Sequence, residues 1–285
     1  MKYDIEELKI AVAKELGVPE NGVEVVDVKK GNGIHKTGIR IVAEGADAGA
    51  IMCPIVYPED LNMGFMDGDI TKAAGVIAEI IRKNTKKVAN FPFNRDTVMK
   101  KCKVRVIPVG KNFDILGEYP HRITMDFAEI VYVECDDLVK DGVAKVSYKM
   151  LEGYGIDEDE LFEAAHRNTK ADGFECMGMS QILGPLAGGP GEDILFVVTN
   201  EKRLFGASAL AFPELIAEYQ KQIGSDTYIL PSSLHEILLV KKEAGEAAME
   251  LAGVVAEINK TQVADEDVLT DSVYELVDGR IVKVA

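Results

Sequence analysis

Across 285 residues, 48 Asp and Glu face 32 Lys and Arg, giving a formal net charge of −16, and hydrophobic residues make up 47% of the chain. That apolar share excludes a disordered chain, and no stretch reaches the roughly 20 apolar residues that a spanning helix needs. The acidic balance argues against nucleic acid and against a membrane surface as partners, since both demand a net basic face; the partner expected is a protein or a small molecule.

In chain order, Asp4 with Glu7 forms a capping box, and Ile5, Leu8, Val12 and Leu16 follow at helical spacing until Gly17 stops the helix. Val23–Val28 and Ile34–Ile41 flank Gly31-Asn32-Gly33, the chemistry of a tight hairpin turn. A third strand is expected near Ala50–Tyr57, then, after a turn and N-cap from Asp67 and Asp69 around Gly68, a helix over Ile70–Lys83, so the N-terminal unit reads α-β-β-β-α. Arg95–Lys101 reads as a short helix, and Val104–Val109, Phe127–Cys135 and Val143–Met150 as strands, the last two paired. Asp157 with Glu160 caps a helix running to about Asn168. Leu183–Gly191, rich in Gly and Pro, is expected to be a mobile loop. Ile194–Thr199 is a buried-strand pattern, Pro213 opens a helix that ends before Gly224, and Tyr228–Leu230 and Leu234–Val240 are strands. Glu243–Asn259 is an amphipathic helix with Ala247, Leu251, Val254 and Ile258 inward, and Val273–Val284 is a hairpin around Asp278-Gly279. The grouping of strands favours an α+β fold, with antiparallel or mixed sheets, packed helices and a mixed C-terminal lobe. The chain reads as one unit over residues 1–285, with two possible lobes, 1–152 and 153–285.

Recognisable chemistry is sparse. Gly188–Gly191 lacks the Lys-Ser/Thr ending of a phosphate loop and precedes a strand instead of a helix. Asp157–Glu160 and Asp265-Glu266-Asp267 fail the calcium-loop spacing and read as helix caps or solvated turns. His35, His121, His166 and His235 show no metal-ligand spacing, so neither a metal nor a cofactor is expected. His35 is expected to be exposed, and His166 to complement a helix dipole. The acidic Met1–Glu7 start does not resemble a signal peptide. Cys53, Cys102, Cys135 and Cys176 form no Cys-x-x-Cys, so free thiols and a cytoplasmic location are expected.

The one cluster that invites catalysis is Ser232-Ser233-Leu234-His235-Glu236, with His121 and Asp126 as further candidates for a Ser/His/carboxylate hydrolase. No Gly-x-Ser-x-Gly elbow frames the serines, and a side-chain-stabilised turn explains them more simply.

The residues Gly224-Ser225-Asp226-x-Tyr228-Ile229-Leu230-Pro231-Ser232-Ser233-x-His235-Glu236, with Thr199-Asn200 and Gly206-Ala207 before them and Asn259-x-Thr261-Gln262-Val263 after, carry a family resemblance. With Tyr119-Pro120-His121 and Asn168-Thr169, they resemble the bacterial family of unknown function DUF5688. The resemblance implies a bacterial cytosolic protein and one family unit over nearly the whole chain, and it carries over no activity, cofactor or catalytic residue. The leading expectation is a non-catalytic binding or regulatory protein. A hydrolase is the alternative, and an acidic inhibitor borne by a mobile element is a third reading.

Overall fold

The computed structural model describes residues 4–42, 54–61, 69–89, 93–138, 142–184, 193–242 and 247–285. Asp4 opens α1 (Ile5–Leu16), its Oδ1 accepting the N–H groups of Glu6 and Glu7 at 2.9 and 3.0 Å. Gly17 closes the helix at φ 73°, a conformation that costs glycine nothing. β1 (Val23–Lys29) and β2 (His35–Ile41) form the expected antiparallel hairpin, with Asn32 and Gly33 at φ 58° and 72° in its turn. Asp69 starts α2 (Ile70–Ala89) by accepting the Thr71 N–H at 3.0 Å; Asp67 lies outside the described residues. Leu8, Val12, Ile39, Ala73, Ile77 and Ile81 pack these elements into one core. The expected third strand is corrected. Ala50–Cys53 lie outside the described residues, and the segment from Pro54 to Pro58 makes a single bridge, Val56 to Ile39. Its two prolines bracket that bridge, and proline has no N–H to extend a ladder.

α3 (Arg95–Lys101) leads into β3 (Cys102–Pro108), buried along its whole length. α4 (Val109–Leu116), not expected from the sequence, comes next, followed by β4 (His121–Thr124). β5 (Phe127–Glu134) pairs with β3 on one edge, and with β4 and then β6 (Val143–Lys145) on the other, all antiparallel. The expected strand to Met150 is cut short. The Ser147 hydroxyl accepts the Met150 N–H at 3.3 Å and opens α5 (Tyr148–Tyr154). α6 (Glu158–Ala171) starts on Asp157 and buries Leu161, Phe162 and Ala165 against Val104, Val131 and Val133.

The third sheet is antiparallel throughout. It comprises β7 (Glu175–Gly178), β8 (Leu195–Thr199), β9 (Thr227–Leu230), β10 (Ile237–Lys241), β11 (Tyr274–Val277) and β12 (Arg280–Lys283), in the order β12-β11-β9-β10-β8-β7. α7 (Met179–Leu183) follows β7, and the loop expected to be mobile lies outside the described residues from Pro185 to Gly191. A 3₁₀ segment, Gly206–Ala211, precedes α8 (Pro213–Ile223). The largest core joins Ile107, Phe127, Ile130 and Tyr132 of the second sheet to Val198, Ile229 and Ile237 of the third, with Phe205 of the turn after β8. The fold is α+β, built from antiparallel sheets with helices packed on them.

α9 (Ala248–Gln262) turns a different face inward from the one expected. Leu251, Val255 and Asn259 are buried, while Val254 and Ile258 are exposed at 55% and 40%. The Asn259 amide explains the rotation, since it donates to Thr270 O at 2.9 Å and to Asp271 Oδ1 at 2.7 Å.

Candidate anion-binding cleft

Three sheets converge on a cleft of about 610 Å³. Its walls come from the end of β1 and the turn after it (Lys29, Lys30), from Arg105 on β3, Tyr119, Lys145 on β6, the Leu204-Phe205 turn, and the His235 and Asp267 loops. Asn32 assembles it. Its left-handed backbone conformation is one that asparagine tolerates. Its side chain donates to Asp265 O and Val268 O at 2.9 and 2.7 Å, and it exchanges two hydrogen bonds with the buried Asn112 amide. The hairpin tip is thereby tied to the middle sheet and to the C-terminal loop at once.

Arg105 is the unusual residue. It is 8% exposed, and among the described residues it makes no hydrogen bond and no ion pair; its Nε has no partner. Lys103, two residues earlier on the same strand face, is neutralised by Glu134 at 2.9 Å and by Asp172. Arg105 instead lies with its guanidinium carbon 4.8 Å from the centroid of the Phe205 ring. Burial pulls its pKa below the usual arginine value, an effect that Tyr132, Asp267 and Tyr119 oppose. An unpaired buried cation is costly, which gives the position a reason to meet an anion from outside the chain.

Lys145 stands beside it. Its Nζ donates to Lys30 O at 3.0 Å and Lys29 O at 3.5 Å, with no carboxylate in ion-pair range among the described residues. It also lies 5.2 Å from the Tyr119 ring centroid. Burial first, then Arg105 and Lys30, lower its pKa to about 8, against a weaker opposite pull from Glu118 and Asp114.

His235 also lines the cleft. Its Nδ1 accepts the Phe205 N–H at 3.3 Å, its Nε2 lies 3.3 Å from Asp267 Oδ1, and its ring stacks on Phe205 with centroids 5.7 Å apart. The Asp267 carboxylate raises its pKa, and partial burial works the other way.

The other sequence candidates make the following contacts. The Ser233 hydroxyl accepts the backbone N–H of His235 at 3.0 Å, which is a turn bond. Neither Ser232 nor Ser233 hydrogen-bonds a histidine ring among the described residues, and both are buried. His121 Nδ1 lies 2.9 Å from Tyr119 O, Asp126 accepts from Lys283 Nζ at 3.2 Å, and Glu236 is absent from the cleft wall. His35 is exposed and pairs with Asp27 at 2.6 Å. His166 on α6 answers Glu129 on β5 at 2.6 Å, a partner that the helix-dipole reading did not include. Among the described residues, no group of three or more His, Cys, Asp and Glu is placed to hold a metal ion.

A family model, the family of unknown function DUF5688, matches residues 4–276. The chain belongs to DUF5688. No curated protein and no solved structure matches it. The cleft of this DUF5688 chain draws on both halves of the matched region, from Lys30 to Asp267. Sequence reasoning named His235 but missed Arg105, Lys145 and Asp267. Arg105 carried one usable signal, a lone arginine inside the apolar run Val104-Arg105-Val106-Ile107. Asp267 read as a solvated turn, because nothing local shows that the turn folds back onto His235.

Proposed function

We propose that this chain is a binding protein for a small organic anion, with Arg105 as its anchor. Arg105 in the cleft, buried and without a partner, carries this reading. An arginine fork suits a carboxylate or a phosphate, and stacking on Phe205 fixes it before the ligand arrives. Lys145 and Lys30 add positive charge to the lining, and Glu266 and Asp267 add acceptors. The net charge of −16 fits a locally basic pocket in an acidic protein, a contrast that selects against adventitious polyanions. Binding is favoured over serine hydrolysis because the Ser233 hydroxyl is committed to the turn.

Calorimetry and thermal melts with acetate, citrate, phosphate and sulfate test the reading. At least one anion is expected to raise the melting temperature of the native chain in step with its concentration, and to lose that effect in Arg105→Met. If no anion stabilises the native chain, or if stabilisation survives in Arg105→Met, the reading is wrong.

A further inference from the structure

We propose that Lys145 is a carbonyl-condensing amine, and that the anion held by Arg105 is a 2-oxo carboxylate. This rests on the anion-binding reading above and names its ligand class. The geometry supplies three parts. Arg105, itself buried, offers a fork for a carboxylate in the cleft. Lys145 lines the same cleft, and its ammonium is not neutralised by any carboxylate in ion-pair range among the described residues. Its two hydrogen bonds go to the main-chain carbonyls of Lys29 and Lys30, which hold the nitrogen in place and leave one valence of the three free.

A neutral amine is required, and the surroundings favour one. The groups facing Lys145 are Arg105 from β3, Lys30 from the hairpin turn, and Asp114 and Glu118 from α4 and its end. Burial and the two cations outweigh the two acids, bringing the pKa to about 8. At neutral pH the neutral share then exceeds that of a surface lysine by on the order of a hundredfold. A desolvated lysine beside a second cation is a recurrent arrangement for imine chemistry.

In the step itself, the Nζ lone pair attacks the ketone carbon and the carbonyl oxygen takes a proton. The carbinolamine then loses that oxygen as water, and a carbon–nitrogen double bond forms. One amine and one ketone give one imine and one water, with no change of oxidation state and no further reactant.

The test is reductive trapping. The full chain is incubated at neutral pH with pyruvate or 2-oxoglutarate and cyanoborohydride, then digested and mapped by mass spectrometry. The expected product is a secondary amine on Lys145, formed at least about tenfold faster than on any surface lysine and at least about tenfold slower in Arg105→Met. Lys145→Arg, which keeps the charge and the turn contacts, should lose the product while melting as the native chain does. Labelling spread over surface lysines with Lys145 not preferred overturns the proposal. So does labelling of Lys145 that is indifferent to Arg105. Calorimetry with lactate, which has the carboxylate but no ketone, separates the two readings. Arg105-dependent lactate binding without trapping leaves the anion site and makes Lys145 only a clamp on the turn. Neither binding nor trapping overturns both.

Discussion

The guanidinium carbon of Arg105 lies 4.8 Å from the centroid of the Phe205 ring, so an aromatic face and not a carboxylate holds this buried charge. Phe205 also stacks on His235 and meets Tyr132 edge-on at 5.1 Å. The ring therefore links the cation of the cleft to its histidine.

Arg105→Met should stabilise the ligand-free chain. The substitution removes an unpaired buried charge and keeps an unbranched apolar stem for packing. The gain expected is about 1–2 kcal/mol, since lost contact with Phe205 offsets part of it. A thermal melt in buffer free of polyvalent anions should rise by roughly 2–6 °C. A fall would mean that Arg105 is satisfied by the protein itself.

The His235–Asp267 pair should make stability depend on pH in one direction. A histidine held above its ordinary pKa by a carboxylate adds stability that is fully present below the unfolded-state value. That stability fades as pH rises through the folded-state value. Asp267 is the largest cause of the shift, with Glu236 adding to it and Arg105 opposing it. In urea unfolding, the gap between the native chain and Asp267→Asn should be widest below the ordinary histidine pKa and should close as pH rises past the raised value. Protonation of Nδ1 displaces the Phe205 N–H from it, so the Phe205 amide resonance should titrate together with the ring. A gap that widens towards alkaline pH would contradict this linkage.

His235→Ala should lower the melting temperature. It removes the ring stacked on Phe205 and strands the Phe205 N–H. The cost of an unmet buried donor is about 1–3 kcal/mol, or several degrees in a chain of this size. A melt that is unchanged or raised would instead mark His235 as a group held at a stability cost, as catalytic groups often are.

Gly206→Ala should be destabilising out of proportion to one methyl group. A Cβ there would come within 2.4 Å of His235 O and of Thr199 Oγ1, and within 2.8 Å of Thr199 Cα. Backbone on both sides leaves little room to yield, so about 1–3 kcal/mol should be lost in denaturant unfolding. Because Gly206 follows Phe205, anion binding should weaken as well. A wild-type stability would show that the Phe205 turn is slack.

The thiols should be present and slow. Cys102, Cys135 and Cys176 are free, and burial pushes each pKa up to about 11. Thiolate is the reactive form, so a disulfide-exchange reagent near pH 8 should label these three only as the chain unfolds. Unfolded without reductant, the chain should titrate four thiols, Cys53 included. Rapid labelling of Cys102 in the native chain would be inconsistent with its burial.

Much of the local structure was legible from the sequence alone. Asp4, Asp69 and Asp157 accept the first amides of their helices, and Asp278-Gly279 sits in a hairpin turn at φ 49° and 73°. These features depend on a few adjacent residues whose hydrogen bonds close within one turn, so their signal is local. The α+β class came from the grouping of strands for the same reason. Tertiary contacts decided the rest. Asn259 faces inward because Thr270 and Asp271 receive its amide, against the apolar pattern that would turn Val254 and Ile258 to the core. Ser147 converts the end of a β-like run into a helix through a reciprocal cap with Met150. The cleft lay furthest from view, because Lys30, Arg105, Lys145, His235 and Asp267 come from five separate segments. Their meeting depends on the Asn32 clamp and on a core shared between two sheets. Whether a buried charge is paired is a property of distance in the fold, and spacing along a chain does not encode it.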